Sequence, residues 1–248
     1  MRRSAKLAVA REVPGEEALD ELSTALDDAG RQAREAARRE ARNQGAGDVT
    51  CRMGCAWCCH QKILATATEG AAIYVSLKSG GRWSDDLVAA LRHADQRLTA
   101  TTHRETLQRA IPCVFLNREG LEPGRGTCSV YSARPLGCRS WFSLEPYIRC
   151  ADPDGPGFLA VPQEEVGMRL VSLIRDFETA FGSDVASFTL PGAVLYAAAK
   201  LEGEPDPGVH RCLASERETR EAADVFDDEA RRRRLGSEPT TATRGGTP

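Results

Sequence analysis

Cys51-Arg52-Met53-Gly54-Cys55-Ala56-Trp57-Cys58-Cys59-His60 places four thiols and an imidazole within ten residues, a density that packing alone rarely produces. On a helix, at about 100° per residue, Cys51, Cys55 and Cys58 fall near 0°, 40° and −20° and share one face, while Cys59 sits about 100° from Cys58. A turn at Gly54 is the other arrangement, and it brings Cys59 back toward its neighbours. Soft thiolates select zinc or iron-sulfur clusters over calcium and magnesium, which take oxygen ligands. Two separate cysteine hooks closing a tetrahedron suit zinc; a tight trio with a remote fourth suits a cubane cluster.

Working outward, the remaining cysteines are Cys113, Cys128, Cys138, Cys150 and Cys212, nine in all. The spacings from Cys113 to Cys150 are too wide for a simple knuckle, but a hairpin with its following turn gathers such positions. Met1 to Arg11 offers only Leu7 to Ala10 as an apolar stretch, short of the roughly 7 to 15 residues of a signal-peptide core. The longest uncharged stretch, Val185 to Ala199, is interrupted by Ser187, Thr189, Pro191 and Gly192 and falls short of the roughly 20 apolar residues that span a bilayer. The expectation is a cytoplasmic protein with no membrane partner, in which clustered cysteines read as metal ligands before disulfides.

The 248 residues carry 33 Lys+Arg against 36 Asp+Glu, a formal net charge of −3. There is thus no overall cationic field for a nucleic-acid partner. From Pro14 to Arg42, Leu19, Leu22, Leu26 and Ala29 recur at helical spacing, with acidic residues early and arginines late, as the helix dipole favours. Asn43 to Asp48 breaks that pattern. Thr66 or Thr68 caps a helix reaching Ser79, which Gly80-Gly81 ends; Ser84 caps another through Leu98, and a turn or two covers Arg104 to Arg109. Cys113 to Leu116 and Thr127 to Tyr131 read as two strands of a hairpin around a polar loop. Arg134-Pro135-Leu136-Gly137 reads as a turn. Asp152 to Pro156 is loop, Pro162 to Phe181 and Pro191 to Leu201 are helices, and Glu216 to Leu235 is a frayed charged helix before a polar tail. The predicted fold is α+β, mostly helical with a small β-hairpin and a cysteine-rich metal-binding segment. Its predicted parts are an N-terminal amphipathic helix and linker over 1–47, a cysteine-cluster domain over 48–202 and a charged helix and tail over 203–248.

Cys-x3-Cys-x2-Cys-Cys at 51–59, then Pro112-Cys113, then Gly126-x-Cys128-x-x-Tyr131-x-x-Arg134-Pro135-x-x-Cys138-Arg139, resembles the YkgJ-type cysteine-cluster family, which is described as zinc- or iron-chelating and includes flagellin lysine-N-methylases. The likeness runs from about Cys51 to Arg139, reaching toward Cys150. It implies metal chelation by Cys51, Cys55, Cys58, Cys59, Cys113, Cys128 and Cys138, with Cys150 at its margin. Ser132-Ala133 departs from relatives, where an acidic residue is frequent; this touches packing more than ligation. The expected function is to hold a zinc ion or iron-sulfur cluster through thiolates. The alternative is an S-adenosylmethionine-dependent lysine methylase acting on a protein substrate. Cys51-x3-Cys55-x-Trp57-Cys58 also fits the radical S-adenosylmethionine spacing, but long helices with one hairpin do not suggest the alternating barrel of that chemistry. No Gly-rich strand-to-helix turn for a dinucleotide is present. Arg52, Arg134 and Arg139 read as cations offsetting thiolate charge or as surface ion-pair partners. His60 is a ligand or a neighbour satisfied by a carbonyl; Cys212, His93 and His103 fall outside the expected site.

Overall fold

The computed structural model describes residues 16–43, 45, 48–52, 54–118, 124–139, 141–143, 159–160, 174, 187–209 and 211–212. Helix α1 spans Glu16–Asn43, and its apolar stripe from Leu19 through Leu22, Leu26, Ala29, Ala33 and Ala37 is buried in the core. The buried positions of its second half are the alanines Ala33, Ala36, Ala37 and Ala41, which let neighbouring backbone approach closely.

Helix α2 (Ala67–Ser79) begins in a capping box: the Thr66 hydroxyl accepts from the Glu69 amide and the Glu69 carboxylate accepts from the Thr66 amide, which satisfies donors the helix itself cannot. It ends at Gly80-Gly81, with the left-handed residue at Gly81, φ 65°. Helix α3 (Asp85–Thr99) is capped by Ser84 as expected. Helix α4 (His103–Gln108) starts in a second capping box, between Thr102 and Glu105.

Helix α5 (Leu136–Arg139) is a correction. Arg134 is held extended before proline, φ −59° and ψ 138°, but Leu136 onward is a helical turn rather than the expected glycine turn, and Gly137 is not among the residues with positive φ. Helix α6 (Leu190–Glu202) is capped by Thr189 and closed by Gly203 in the left-handed region. It packs against α2 at close range: a Cβ on Gly70 would lie 2.2 Å from the Ala193 carbonyl oxygen, so only glycine fits.

Among the described residues, three small antiparallel sheets complete the fold. Strands β1 (Leu64–Ala65), β6 (Ser187–Thr189) and β7 (Arg211–Cys212) lie in the order β1-β6-β7, with Leu64 opposite Thr189 and Ser187 opposite Cys212. Strands β2 (Leu116–Asn117) and β3 (Thr127–Cys128) form the predicted hairpin, with Leu116 opposite Cys128. The pairing is shorter than expected because Cys113 to Leu116 folds into a turn, its Leu116 amide donating to the Cys113 carbonyl at 3.0 Å. Beyond Val130 the chain enters the 3-10 turn Tyr131–Ala133. Strand β4 (Trp141–Phe142) pairs with β5 (Leu159–Ala160). The architecture is mostly helical α+β. The predicted loop at 152–156, the helix at 162–181 apart from helical Ile174, and the segments 216–235 and 236–248 lie outside the described residues.

Candidate metal centre

The cysteine segment is not the continuous helix that would align Cys51, Cys55 and Cys58; the turn at Gly54 replaces it. Gly54 has φ 87°, and the Cys55 amide donates back to the Arg52 carbonyl at 3.1 Å. Cys55 then forms an isolated bridge with Arg125. On either side of that bridge, Ala56 donates to the Gly124 carbonyl at 2.8 Å and Gly126 to the Gly54 carbonyl at 3.1 Å. Gly124 is obligatory: its φ is 75°, and a Cβ there would lie 2.0 Å from Trp57 Cε2. Trp57–His60 forms a 3-10 turn, in which Cys59 donates to the Ala56 carbonyl at 3.0 Å.

The second group of cysteines meets this turn directly. The Cys113 amide donates to the Cys59 carbonyl at 2.8 Å, and Cys128 lies on β3 of the hairpin. Cys138 sits on α5, whose first amide, that of Leu136, donates to Glu69 Oε1 at 2.7 Å. Beyond α5, the Ser143 amide donates to Cys51 Sγ at 3.1 Å, and the Thr50 amide to the Ser143 carbonyl at 2.9 Å. The structure thus ties both limbs of the cysteine set together.

Seven described cysteines, Cys51, Cys55, Cys58, Cys59, Cys113, Cys128 and Cys138, are free, partly buried thiols. Burial pushes the Cys51, Cys55 and Cys128 thiols up and takes Cys113 to about 12. Burial also raises Cys138 well above the usual range, as a hydrogen bond with Cys59 does for Cys58, seconded by burial. Mutual repulsion adds to this. Cys58 acts in this way on Cys51, Cys55, Cys113, Cys128 and Cys138, and Cys113 and Cys128 act on Cys138.

Groups that favour thiolate act in the opposite direction. Cys55, Cys113 and Cys128 each receive the peptide N–H two residues on, from Trp57, Phe115 and Val130. Arg34 acts on Cys51, Arg52 on Cys55, and Arg134 on Cys58, Cys128 and Cys138. The Arg134 guanidinium lies 3.6 Å from the centre of the Tyr131 ring. His60 is held as a neighbour: its Nδ1 donates to the Trp57 carbonyl at 3.3 Å, its Nε2 lies 3.4 Å from the Arg118 guanidinium, and burial lowers its pKa. Cys150 lies outside the described residues, and Cys212 is on β7, opposite Ser187.

Among the described residues no three His, Cys, Asp or Glu side chains are already gathered as ligands of one ion. The donor chemistry nevertheless suits a soft metal, because the seven partly buried thiols are soft donors and three of them, Cys55, Cys113 and Cys128, have peptide N–H partners. Trp57 Nε1 and both polar atoms of Gln61, the latter residue 4% exposed, are buried with no hydrogen-bond partner. These orphaned polar groups lie in, or directly after, the turn that carries Cys58 and Cys59.

Fold and thiols together define a helical cysteine-cluster domain. Residues 50–152 match the CxxCxxCC family model, described as "Putative zinc- or iron-chelating domain", so this part of the chain is similar to domains of that kind. No curated protein and no solved structure matches the chain.

Sequence reasoning missed Glu69, Ser143, Arg34 and Asp27, all of which reach the site from distant segments. The sulfur-directed amides did leave a signal: Cys55-Ala-Trp57, Cys113-Val-Phe115 and Cys128-Ser-Val130 each place a large apolar residue two positions after a cysteine, and it is the amide of that residue that donates to sulfur.

Proposed function

We propose that residues 48–202 form a metal-holding domain, flanked by an N-terminal helix and linker over 1–47 and a C-terminal segment over 203–248. Its thiolates hold a zinc ion or an iron-sulfur cluster. The ligands are drawn from Cys51, Cys55, Cys58, Cys59, Cys113, Cys128 and Cys138, with Cys150 as a further candidate. The observation that carries this reading is the pair of bonds that hold cysteine limbs far apart in sequence against each other, from the Cys113 amide to the Cys59 carbonyl at 2.8 Å and from the Ser143 amide to Cys51 Sγ at 3.1 Å.

When bound, the metal supplies a positive centre that stabilises the thiolates which burial otherwise disfavours. The protein's own residues do the rest. Peptide N–H groups at Trp57, Phe115 and Val130 donate to sulfur, and Arg34, Arg52 and Arg134 offset the charge of about −2 that four thiolates leave around a dication.

Anaerobic purification followed by visible absorption and elemental analysis tests the reading. Brown protein with iron and acid-labile sulfide identifies a cluster, and colourless protein with stoichiometric zinc identifies a zinc site. Neither metal in protein purified without chelator overturns it.

A further inference from the structure

Asp27 and Arg34 lie seven residues apart on α1, two turns along one face and about 10 Å apart at roughly 1.5 Å per residue. Asp27 Oδ1 accepts from Arg139 Nη1 at 2.6 Å, and Arg34 Nη2 donates to the Cys51 carbonyl at 3.2 Å. Arg139 follows Cys138 and its side chain is 7% exposed. Its Nε donates to the Arg134 carbonyl at 2.6 Å and its Nη2 to the Ser132 carbonyl, so it clasps the turn that separates Cys128 from Cys138. One helix therefore grips both the first cysteine of the set and the residue after its last described one. Both α1 residues lie outside 50–152, the span of the chelating-domain match.

We propose that α1 is a ruler for the metal centre: Asp27, through Arg139, and Arg34, through the Cys51 carbonyl, are positioning residues that set the separation between the Cys51 and Cys138 limbs. The proposal rests on the thiolate-site reading above. The planar guanidinium of Arg139 uses three donors on three acceptors at once, a geometry lysine does not reproduce. Losing Asp27 leaves a buried cation without its carboxylate. Supports of this kind around metal ligands are worth about 10- to 100-fold in metal affinity.

The test compares the full chain, the double variant Asp27→Ala/Arg34→Ala and the control Asp28→Ala, which removes only an exposed ion pair with Arg31. On metal-free protein, iodoacetamide alkylation is mapped cysteine by cysteine; on reconstituted protein, zinc affinity is measured against a chromophoric chelator. The expected result is about threefold faster alkylation at Cys51 and Cys138 and about tenfold weaker zinc binding in the double variant, with a melting midpoint matching the control. Asp27→Glu should restore part of the zinc affinity. Wild-type alkylation rates at both cysteines in the double variant overturn the ruler. Faster alkylation in a chain whose wild type takes up neither zinc nor iron supports the ruler and rejects the metal-site reading. Should the double variant not fold, Arg34→Ala alone must speed alkylation at Cys51 and spare Cys138; no change there overturns the proposal.

Discussion

The amide of Cys113 donates to the carbonyl oxygen of Cys59 at 2.8 Å, and this one bond brings the second cysteine limb against the turn that carries the first. Cys58 and Cys59 precede it, and the hairpin bearing Cys128 follows it. Sulfur atoms far apart in sequence thereby share one electrostatic neighbourhood.

Cys58 raises the thiols of Cys51 and Cys55 in its own limb and of Cys113, Cys128 and Cys138 in the other, so Cys58→Ser should remove most bound metal and lower the melting temperature, since metal binding is folding energy when the site is not preformed. Cys212→Ser, on β7, should change neither. Elemental analysis and a thermal melt of the two variants check this; equal metal loss in both would refute the division.

The pH dependence has opposite signs with and without metal. A thiol raised by burial stabilises the metal-free fold while it stays neutral. For Cys113 that contribution is intact below its ordinary value of 9.0 and is lost as pH rises toward about 12. Metal binding must expel these protons, so zinc affinity should rise with pH from 6 to 9. Calorimetric titration in buffers of different ionisation enthalpy should show proton release; a buffer-independent heat would rule out neutral thiol ligands.

Much of the helical frame was legible in the sequence because its signals are local. Thr66, Ser84 and the stripe Leu19, Leu22 and Leu26 each act within a few residues, and the structure places helices where they indicate. The site was legible in part. The hairpin that bears Cys128 was anticipated, but the helical turn that bears Cys138 and the shape of the Cys51 to Cys59 limb were not. The 3-10 turn at Trp57–His60 depends on Gly124 clearing room for an indole almost seventy positions earlier, and α5 depends on an acceptor supplied by Glu69. No local rule reaches across such separations. The sheet that pairs β1 with β6 and β7 was unforeseen for the same reason, its strands being two or three residues long.

Glu69 is buried, and its two carboxylate oxygens serve α2 and α5 at once, accepting from Thr66 and Leu136. Glu69→Ala leaves those two amides without an acceptor and should cost about 2 to 6 kcal/mol, from roughly 1 to 3 per unsatisfied group. Urea unfolding of metal-free protein measures it. Glu69→Gln keeps an acceptor and should cost less; equal losses would contradict the two-sided role.

At the α2–α6 contact, Gly70→Ala drives a methyl group into the Ala193 carbonyl and should destabilise by about 1 to 3 kcal/mol or more, as overpacking does. The matching control is Gly45→Ala, where a Cβ meets nothing within 4 Å and the only strain is that of φ 67°. Denaturation midpoints of the two should separate steric from conformational cost.

Helices α2, α3 and α4 all lie in the chain between Cys59 and Cys113. Joining those two residues closes a ring of more than fifty residues, an entropic burden that grows only with the logarithm of ring size and that a floppy connector would bear at every closure. Here the ring is stiffened in advance, because α2 and α3 both pack on α6. A miniature in which a glycine-serine tether replaced residues 67–108 would keep all the described thiols and still bind metal more weakly, since each capture would have to order the tether anew.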